Sequence, residues 1–430
     1  MSAKRITMLV RNTVHNDNRV LKEAAALAEA GYAVTVMGVR GEGLPNEETY
    51  AGARILRVDG AGTTRANLLR GKKRRDEFIR TAFPREIASV LGFMNAKSLR
   101  IANGLVWGLE PLAYLHDFDR AVDCASGELI ADLWWAHDLN TLPTALRLAR
   151  RYGGKSVYDS HEYWLDCNNV YSPFAKRVWE VLEKRLIKRA DRVVTVSGSI
   201  ARHLAAQYGL PEPAVVLNTP PYRGEKRALQ LRETYGVMTA HVLVYVGLVT
   251  HQRGYEQVIE ALRELPDVTV LCFGHGAEAY RKGLVEAAAA AGVGERFRLV
   301  GSVKPEEIQP AIGAADAGLV AVQRGALSYN YALPSKLFEY VFAGLPVVAG
   351  DLVEIRALVG EYALGVCVDE RDPKALAAGI RNLLAARDSY RGPDWERRRR
   401  SFIDRFAWDR HKSVLVGLVD ELLGVERVLP

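Results

Sequence analysis

Residues 6–39, ITMLVRNTVHNDNRVLKEAAALAEAGYAVTVMGV, decide the fold. ITMLV (6–10) reads as a short apolar strand and RNTVHNDN as a polar loop. RVLKEAAALAEAG follows as an Ala-rich helix ended by Gly31, and AVTVMGV (33–39) as the next strand. Two apolar strands joined through one helix form a βαβ unit, whose strands run parallel. The unit recurs along the chain. DLWWAH (132–137), KSVYDSH (155–161) and DRVVTVS (191–197) end as strands, with helical stretches after each. A second series comprises HVLVYVG (241–247), VTVLCFG (268–274), FRLVG (297–301), AGLVAV (317–322) and PVVAG (346–350). These runs are almost continuously apolar, as parallel strands covered on both faces require.

Between the two series lies YGLPEPAVVLNTPPYRGEKRA (208–228), with four prolines and then a basic, polar run. A domain boundary is expected there. The reading is an α/β protein of two doubly wound, Rossmann-like halves, residues 1–215 and 223–400. A C-terminal helix within 401–430 is expected to pack back towards the N-terminal half. Ligands should bind past the carboxyl ends of the strands, in the cleft between the halves.

The 430 residues are 49% hydrophobic and 25% charged, enough for two domains with full cores. A net charge of +7 suits an anionic partner, and nucleic acid, acidic lipid and nucleotide substrates all fit that charge alone. No run of about 18 apolar residues is present, and MSAKRITMLV reads as a first strand rather than a secretory signal. A soluble, cytoplasmic protein is expected. Cys124, Cys167, Cys272 and Cys367 are scattered without C-x-x-C spacing and read as reduced thiols, mostly buried. One basic insertion, at about 62–115, interrupts the rhythm. Its residues 65–100 hold ten Lys/Arg against three acids, interleaved with Leu, Phe, Ile and Met. Two readings stay open: a solvated helical insertion, or a peripheral contact with an anionic membrane surface.

Chemistry concentrates at the strand ends. GLVTHQRG supplies Gly247, Arg253 and Gly254 ahead of a helix, where backbone N–H groups and a fixed cation can meet an anion. FGHG supplies Gly274 and Gly276, small residues that let a backbone or a ligand approach closely. LPSKLFEYVFAGLPVV (333–348) is a helix apolar nearly all round, yet it carries Lys336 and Glu339 on one face. A lysine in the first turn opposes the helix dipole unless a bound diphosphate reverses the local charge. Ser335, Lys336 and Leu337 would then cradle the diphosphate and Glu339 accept from a ribose diol, the alternative being a structural Lys–Glu pair. In the first half, His137 and Asp138 of WAHDLNTLP and His161 and Glu162 of YDSHEYW end two strands. Asn12, His15, Asp17, Asn18 and Arg19 follow the first strand. Polar contact with a substrate hydroxyl or phosphate is expected of this group, a capped structural histidine being the equal alternative for His161. No metal is expected, because the sequence shows no tight ligand cluster.

The pieces NDNRVLKEAAALAEAGYAVTV, HDLNTLPTA, VYDSHEYW, RADRVVTVS, GLVTHQRG and LPSKLFEYVFAGLPVV span almost the whole chain. In that order they resemble the retaining glycosyltransferases of family 4, with the GT-B arrangement of two Rossmann-like domains. The resemblance implies a UDP- or GDP-linked sugar held mainly by the C-terminal domain and transferred with retention to a hydroxyl acceptor. It implies neither an obligatory cofactor nor a metal, and no nucleic-acid partner. A lipid-linked or cell-envelope acceptor at the inner membrane surface fits the basic charge; a soluble acceptor stays open. By resemblance Glu339 is the second glutamate of a Glu-x7-Glu motif, whose first position holds Tyr331 here. Arg253 matches the lysine that binds the donor diphosphate, and Leu248 stands where an arginine is usual. Arg253, Lys336 and His137 are therefore the expected catalytic residues, with His137 on the acceptor side of the reacting sugar. A nucleotide-sugar 2-epimerase and a non-catalytic nucleotide-sugar-binding partner are the alternatives.

Overall fold

The computed structural model describes residues 3–59, 110–125, 130–167, 173–224 and 230–426. Most of the basic insertion, and with it the membrane reading of 65–100, lies outside them. The chain divides into two compact units. The first comprises Met1–Val196, Ile200–Val216 and Lys412–Pro430; the second comprises Ser197–Ser199 and Leu217–His411.

The first unit is built on an eight-stranded sheet of β1 (Arg5–Leu9), β2 (Ala33–Val39), β3 (Glu47–Tyr50), β4 (Ala53–Val58), β5 (Leu133–His137), β6 (Lys155–Ser160), β7 (Arg192–Thr195) and β8 (Ala214–Val215). Their order in the sheet is β3-β4-β2-β1-β5-β6-β7-β8. All neighbours are parallel except β3 and β4, a hairpin whose turn places Ala51 and Gly52 at positive φ. The first βαβ unit falls where the sequence puts it, whereas the hairpin on the sheet edge has no counterpart in the sequence pattern. EETY is polar and mostly exposed, and the apolar run of ARILRV is interrupted by Arg54 and Arg57.

The second unit is a six-stranded parallel sheet of β9 (His241–Val246), β10 (Val268–Phe273), β11 (Phe297–Gly301), β12 (Ala317–Val320), β13 (Val347–Gly350) and β14 (Gly365–Val368). The order is β11-β10-β9-β12-β13-β14, the doubly wound pattern in which direction reverses between β9 and β12. Val244, Leu271, Leu319 and Val348 are all at most 1% exposed, as double coverage requires. In the first sheet the same reversal falls between β1 and β5. In open sheets of this kind the crevice for a ligand forms at that switch point, so the loops after β1 and β5, and after β9 and β12, are the places to look.

The C-terminal segment divides differently from the single helix expected at 401–430. The helix Pro393–Phe406 belongs to the second unit, where Phe402 stacks on Phe338 at 5.6 Å and Phe406 packs beside it. Residues from Lys412 onward join the first unit, where Lys412 reaches Glu29 at 2.6 Å and Tyr32 donates to Asp420. The thiols also depart from expectation. Only Cys272 is buried, Cys124 is exposed and Cys167 and Cys367 are half-buried; none of the four is in a disulfide. Among the described residues no helix is long and apolar enough to cross a membrane.

Candidate functional site

In the second unit, β9 and β12 pair only as far as Leu243↔Ala317 and Val244↔Gly318, then part. The Tyr340 ring lies against Gly318, where a Cβ would come within 2.2 Å of it. Its hydroxyl bridges the opening, accepting from Val246 N at 2.7 Å and donating to Leu319 O at 3.2 Å. This fixes the helix Ser335–Phe342 at the switch point, with every residue from Lys336 to Phe342 buried and Ser335 left exposed. Leu337 turns into the core and its N–H is taken by Pro334 O. It contributes packing rather than a free donor group.

Lys336 is only 7% exposed, and its ammonium stands 4.0 Å from the Tyr245 ring centre, a cation–π contact. It passes so close to Gly247 that a Cβ there would sit 3.0 Å from Nζ, and Gly247 holds φ +143. No carboxylate lies within ion-pair reach of it among the described residues. The structural Lys–Glu pair is therefore absent: Glu339 Oε2 instead accepts from Gln309 Nε2 at 2.9 Å, and that amide also donates to Pro221 O. Arg253 comes in from the loop after β9 with its guanidinium 5.0 Å from the Tyr329 ring centre, its buried Nε lacking a hydrogen-bond partner. Burial first, and then the Arg253 charge, hold the Lys336 pKa well below the ordinary lysine value. Two neighbouring cations with no carboxylate counter-charge, at the switch point and at a helix N-terminus, form a site built for an anion.

The remaining glycines act on the backbone. A Cβ on Gly274 would fall 1.8 Å from Gly247 O, and one on Gly276 2.0 Å from Val249 O. Of the two reasons for small residues there, close backbone approach is the one the structure uses. Gly254 likewise sits under Ala321 O and begins the helix Tyr255–Leu262. Leu248 is about half exposed, and Tyr331 ends the short helix Leu327–Tyr331.

In the first unit, β5 and β6 lie side by side with His137 opposite Asp159 in register. His161 is two residues beyond Asp159, so the strand alternation returns it to the same face. His137 Nδ1 is 2.9 Å from His161 Nε2 and 3.3 Å from Asp159 Oδ2, which is itself 3.4 Å from His161 Nε2. Asp159 also takes Arg19, with Nη2 at 2.7 Å from Oδ1 and Nε at 3.2 Å from Oδ2. Arg19 Nη2 stands 3.0 Å from Glu23 Oε1, and its Nη1 donates to Val216 O at 2.8 Å. Arg19 was expected at the acceptor side, but it is 3% exposed and its guanidinium is fully engaged inside the fold. It positions Asp159 instead.

Burial raises Asp159, yet Arg19 and His161 outweigh it and hold the carboxyl well below the usual range. Burial lowers His161, while Asp138 and Asp159 outweigh it and bring the ring up to about 9. Glu23, fully buried, is pushed up by desolvation against the pull of Arg19. Around this nest, Asp138 accepts from His161 N at 3.0 Å, and Asn12 donates to Asp17, which caps the helix Asn18–Glu29 through Val20 N. His15, Asn18 and Glu162 are exposed. Reading His137 and His161 as lone strand-end histidines missed Asp159. The D-x-H spacing in VYDSHEYW was the available signal, and it supplies the tight cluster that the sequence reading did not find.

Comparison with known proteins agrees with both units. Residues 17–220 match the family model described as glycosyl transferase 4-like domain, and residues 230–400 match glycosyl transferases group 1. The chain belongs to this glycosyltransferase family and has the GT-B fold. A D-inositol 3-phosphate glycosyltransferase of Geodermatophilus obscurus is 30% identical over 255 residues, covering 55% of this chain and 53% of that protein. A 2-deoxystreptamine glucosyltransferase of Streptomyces kanamyceticus is 23% identical over 263 residues, 57% of this chain and 64% of its own length. The chain spans about half the length of the first curated relatives it matches. Among solved structures, sucrose-phosphate synthase from Thermosynechococcus elongatus superposes with a TM-score of 0.74 at 17% identity, covering 98% of this chain and 100% of that one. Anabaena Alr3699/HepE in complex with UDP-glucose gives 0.65 at 15% identity, covering 97% and 99%. At these identities the likeness is one of fold.

Proposed function

We propose that the protein is a retaining glycosyltransferase that moves a sugar from a UDP- or GDP-linked donor to a hydroxyl acceptor. One observation carries the reading: Lys336 and Arg253, neighbouring and without a carboxylate counter-ion, at the switch point of the second sheet. A nucleoside diphosphate supplies the missing negative charge. Ser335 and the first turn of its helix add N–H groups, and Glu339, already oriented by Gln309, accepts from the ribose. During transfer negative charge grows on the departing diphosphate, and the two cations stabilise it where it develops. The leaving phosphate oxygen takes the acceptor's proton, so no protein base is needed for retention. Asp138, with the exposed Asn12, His15, Asn18 and Glu162, serves the acceptor side, whereas the His137 side chain expected there is wholly enclosed. The names of the relatives support a polyol or aminocyclitol acceptor, and the UDP-glucose complex of a structural neighbour supports a UDP-linked donor. Such donors are cytoplasmic, which carries a cytoplasmic location with it.

The test is a panel of UDP- and GDP-sugars scored first by thermal stabilisation and then by turnover, with and without acceptor. Stabilisation by one donor class and sugar transfer with retained anomeric configuration are expected. Conversion of the donor without acceptor would make the protein a 2-epimerase. Binding without turnover of any donor would make it a non-catalytic nucleotide-sugar-binding partner.

A further inference from the structure

We propose that His137, Asp159 and His161 of the first unit hold a divalent transition-metal ion of the zinc class. The three ligand atoms, His137 Nδ1, His161 Nε2 and Asp159 Oδ2, stand 2.9, 3.3 and 3.4 Å from one another. A tetrahedral ion bound at about 2.0–2.1 Å needs its ligand atoms about 3.3 Å apart, so these three atoms form one face of such a polyhedron. Two imidazole nitrogens with one carboxylate oxygen select a first-row transition ion over magnesium or calcium.

The charge census leads to the same place. Four carboxyl groups, Asp17, Glu23, Asp138 and Asp159, gather around Arg19 and the two imidazoles of His137 and His161. Glu23 is an independent indicator. It is fully buried, with Oε1 3.0 Å from Arg19 Nη2, while Oε2 has no hydrogen-bond partner and faces His137 Nδ1 at 4.0 Å. A dication beside that nitrogen would place positive charge next to this second oxygen.

The surroundings match a metal centre. Arg19 fixes both oxygens of the Asp159 carboxylate, with Nη2 on Oδ1 and Nε on Oδ2, and Asp138 Oδ2 faces the second nitrogen of His161 at 3.6 Å, the outer partner that orients a ligating histidine. The side chains of His137 and Asp159 are wholly enclosed, whereas His161 is 16% exposed. A fourth coordination place therefore opens on the His161 side. Three protein ligands and one open place are the pattern of a reactive site rather than a closed structural one.

The inference does not rest on the glycosyltransferase reading. Chelator-treated full-length protein is titrated with Co2+, followed by visible d–d absorption, and competed with Zn2+. One equivalent of Co2+ is expected, with the band lost on adding Zn2+. His161→Gln and Asp159→Asn should weaken binding at least tenfold, while His251→Gln, an exposed histidine of the other unit, should leave it unchanged. Circular dichroism checks that the variants fold. If they do not, anomalous scattering from Co2+ in crystals of the unaltered protein decides. No band from the unaltered protein, a band that survives both ligand substitutions, or anomalous density away from these three residues would overturn the proposal. Absence of sugar transfer leaves it standing, and absence of the metal leaves the donor site standing.

Discussion

Replacing Lys336 with Met should make the ligand-free protein more stable and shrink the stabilisation that a nucleotide adds. The ammonium is buried against Tyr245 and beside Arg253, with no carboxylate to balance it. Exchanging an uncompensated buried charge for an apolar chain of similar length removes its desolvation cost. Allowing for the lost cation–π contact, a net gain of about 1–3 kcal/mol is expected. The same exchange deletes a charge-assisted contact to the diphosphate worth about 1.5–3 kcal/mol, or about 10- to 150-fold in Kd. The assay is thermal unfolding with and without UDP or GDP. At a concentration about 100 times Kd the unaltered protein gains about 2.7 kcal/mol, and the variant at the same concentration should gain about 0.3–1.4 kcal/mol. A higher stability without ligand, together with a smaller gain on adding nucleotide, is the signature. A variant that is less stable without ligand, yet is stabilised by the nucleotide as before, would refute the idea that Lys336 is held in reserve for an anion.

Other outcomes follow from the same geometry. Because Lys336 sits well below the ordinary lysine range, the unfolded chain binds a proton that the folded chain resists. The ligand-free protein therefore loses stability as pH falls from about 10, and Lys336→Met flattens that slope. A bound diphosphate should favour the charged form, so calorimetry at alkaline pH in buffers of different ionisation enthalpy should record more proton uptake in the unaltered protein than in Lys336→Met. Glu339→Ala should weaken nucleoside diphosphate binding by tenfold or more, while the affinity for inorganic pyrophosphate changes little; equal loss of both would count against a ribose contact. In the first unit, Tyr158 and Tyr208 each donate to one oxygen of the buried Glu183, at 2.8 and 2.7 Å. Tyr208→Phe leaves one carboxyl oxygen unpaired and should cost about 1–3 kcal/mol in denaturant unfolding, with no effect on nucleotide affinity.

The sequence was most readable where local pattern and tertiary role coincide. AVTVMGV and FRLVG are strands over 33–39 and 297–301, because an apolar run fenced by Gly or by charge has few other uses. The helix Ser335–Phe342 was legible for the same reason: its apolar circumference announces burial, and its lone lysine announces an exception. Residues whose meaning lies in a distant partner were read poorly. Arg19 sits in a polar loop-to-helix stretch that looks solvent-facing, and nothing local reveals Asp159, 140 positions away, or the Val216 carbonyl. Glu23 reads as the polar face of an Ala-rich helix. Only its spacing from Arg19, one turn on, hints that both face inward. FGHG illustrates an ambiguity that composition cannot resolve, since a glycine made necessary by another loop looks the same as one made necessary by a phosphate.

The hydroxyl of Tyr340 spans the parting strands while its own helix presents Lys336 one turn earlier. Recognition and architecture are thus soldered to a single short rod. Any damage to the rod's inner side, at Phe338, Tyr340 or the Gly318 seat beneath it, will show up in a screen as lost nucleotide binding although no ligand-touching atom has changed. Sorting true recognition residues from such counterfeits calls for a stability measurement alongside every affinity.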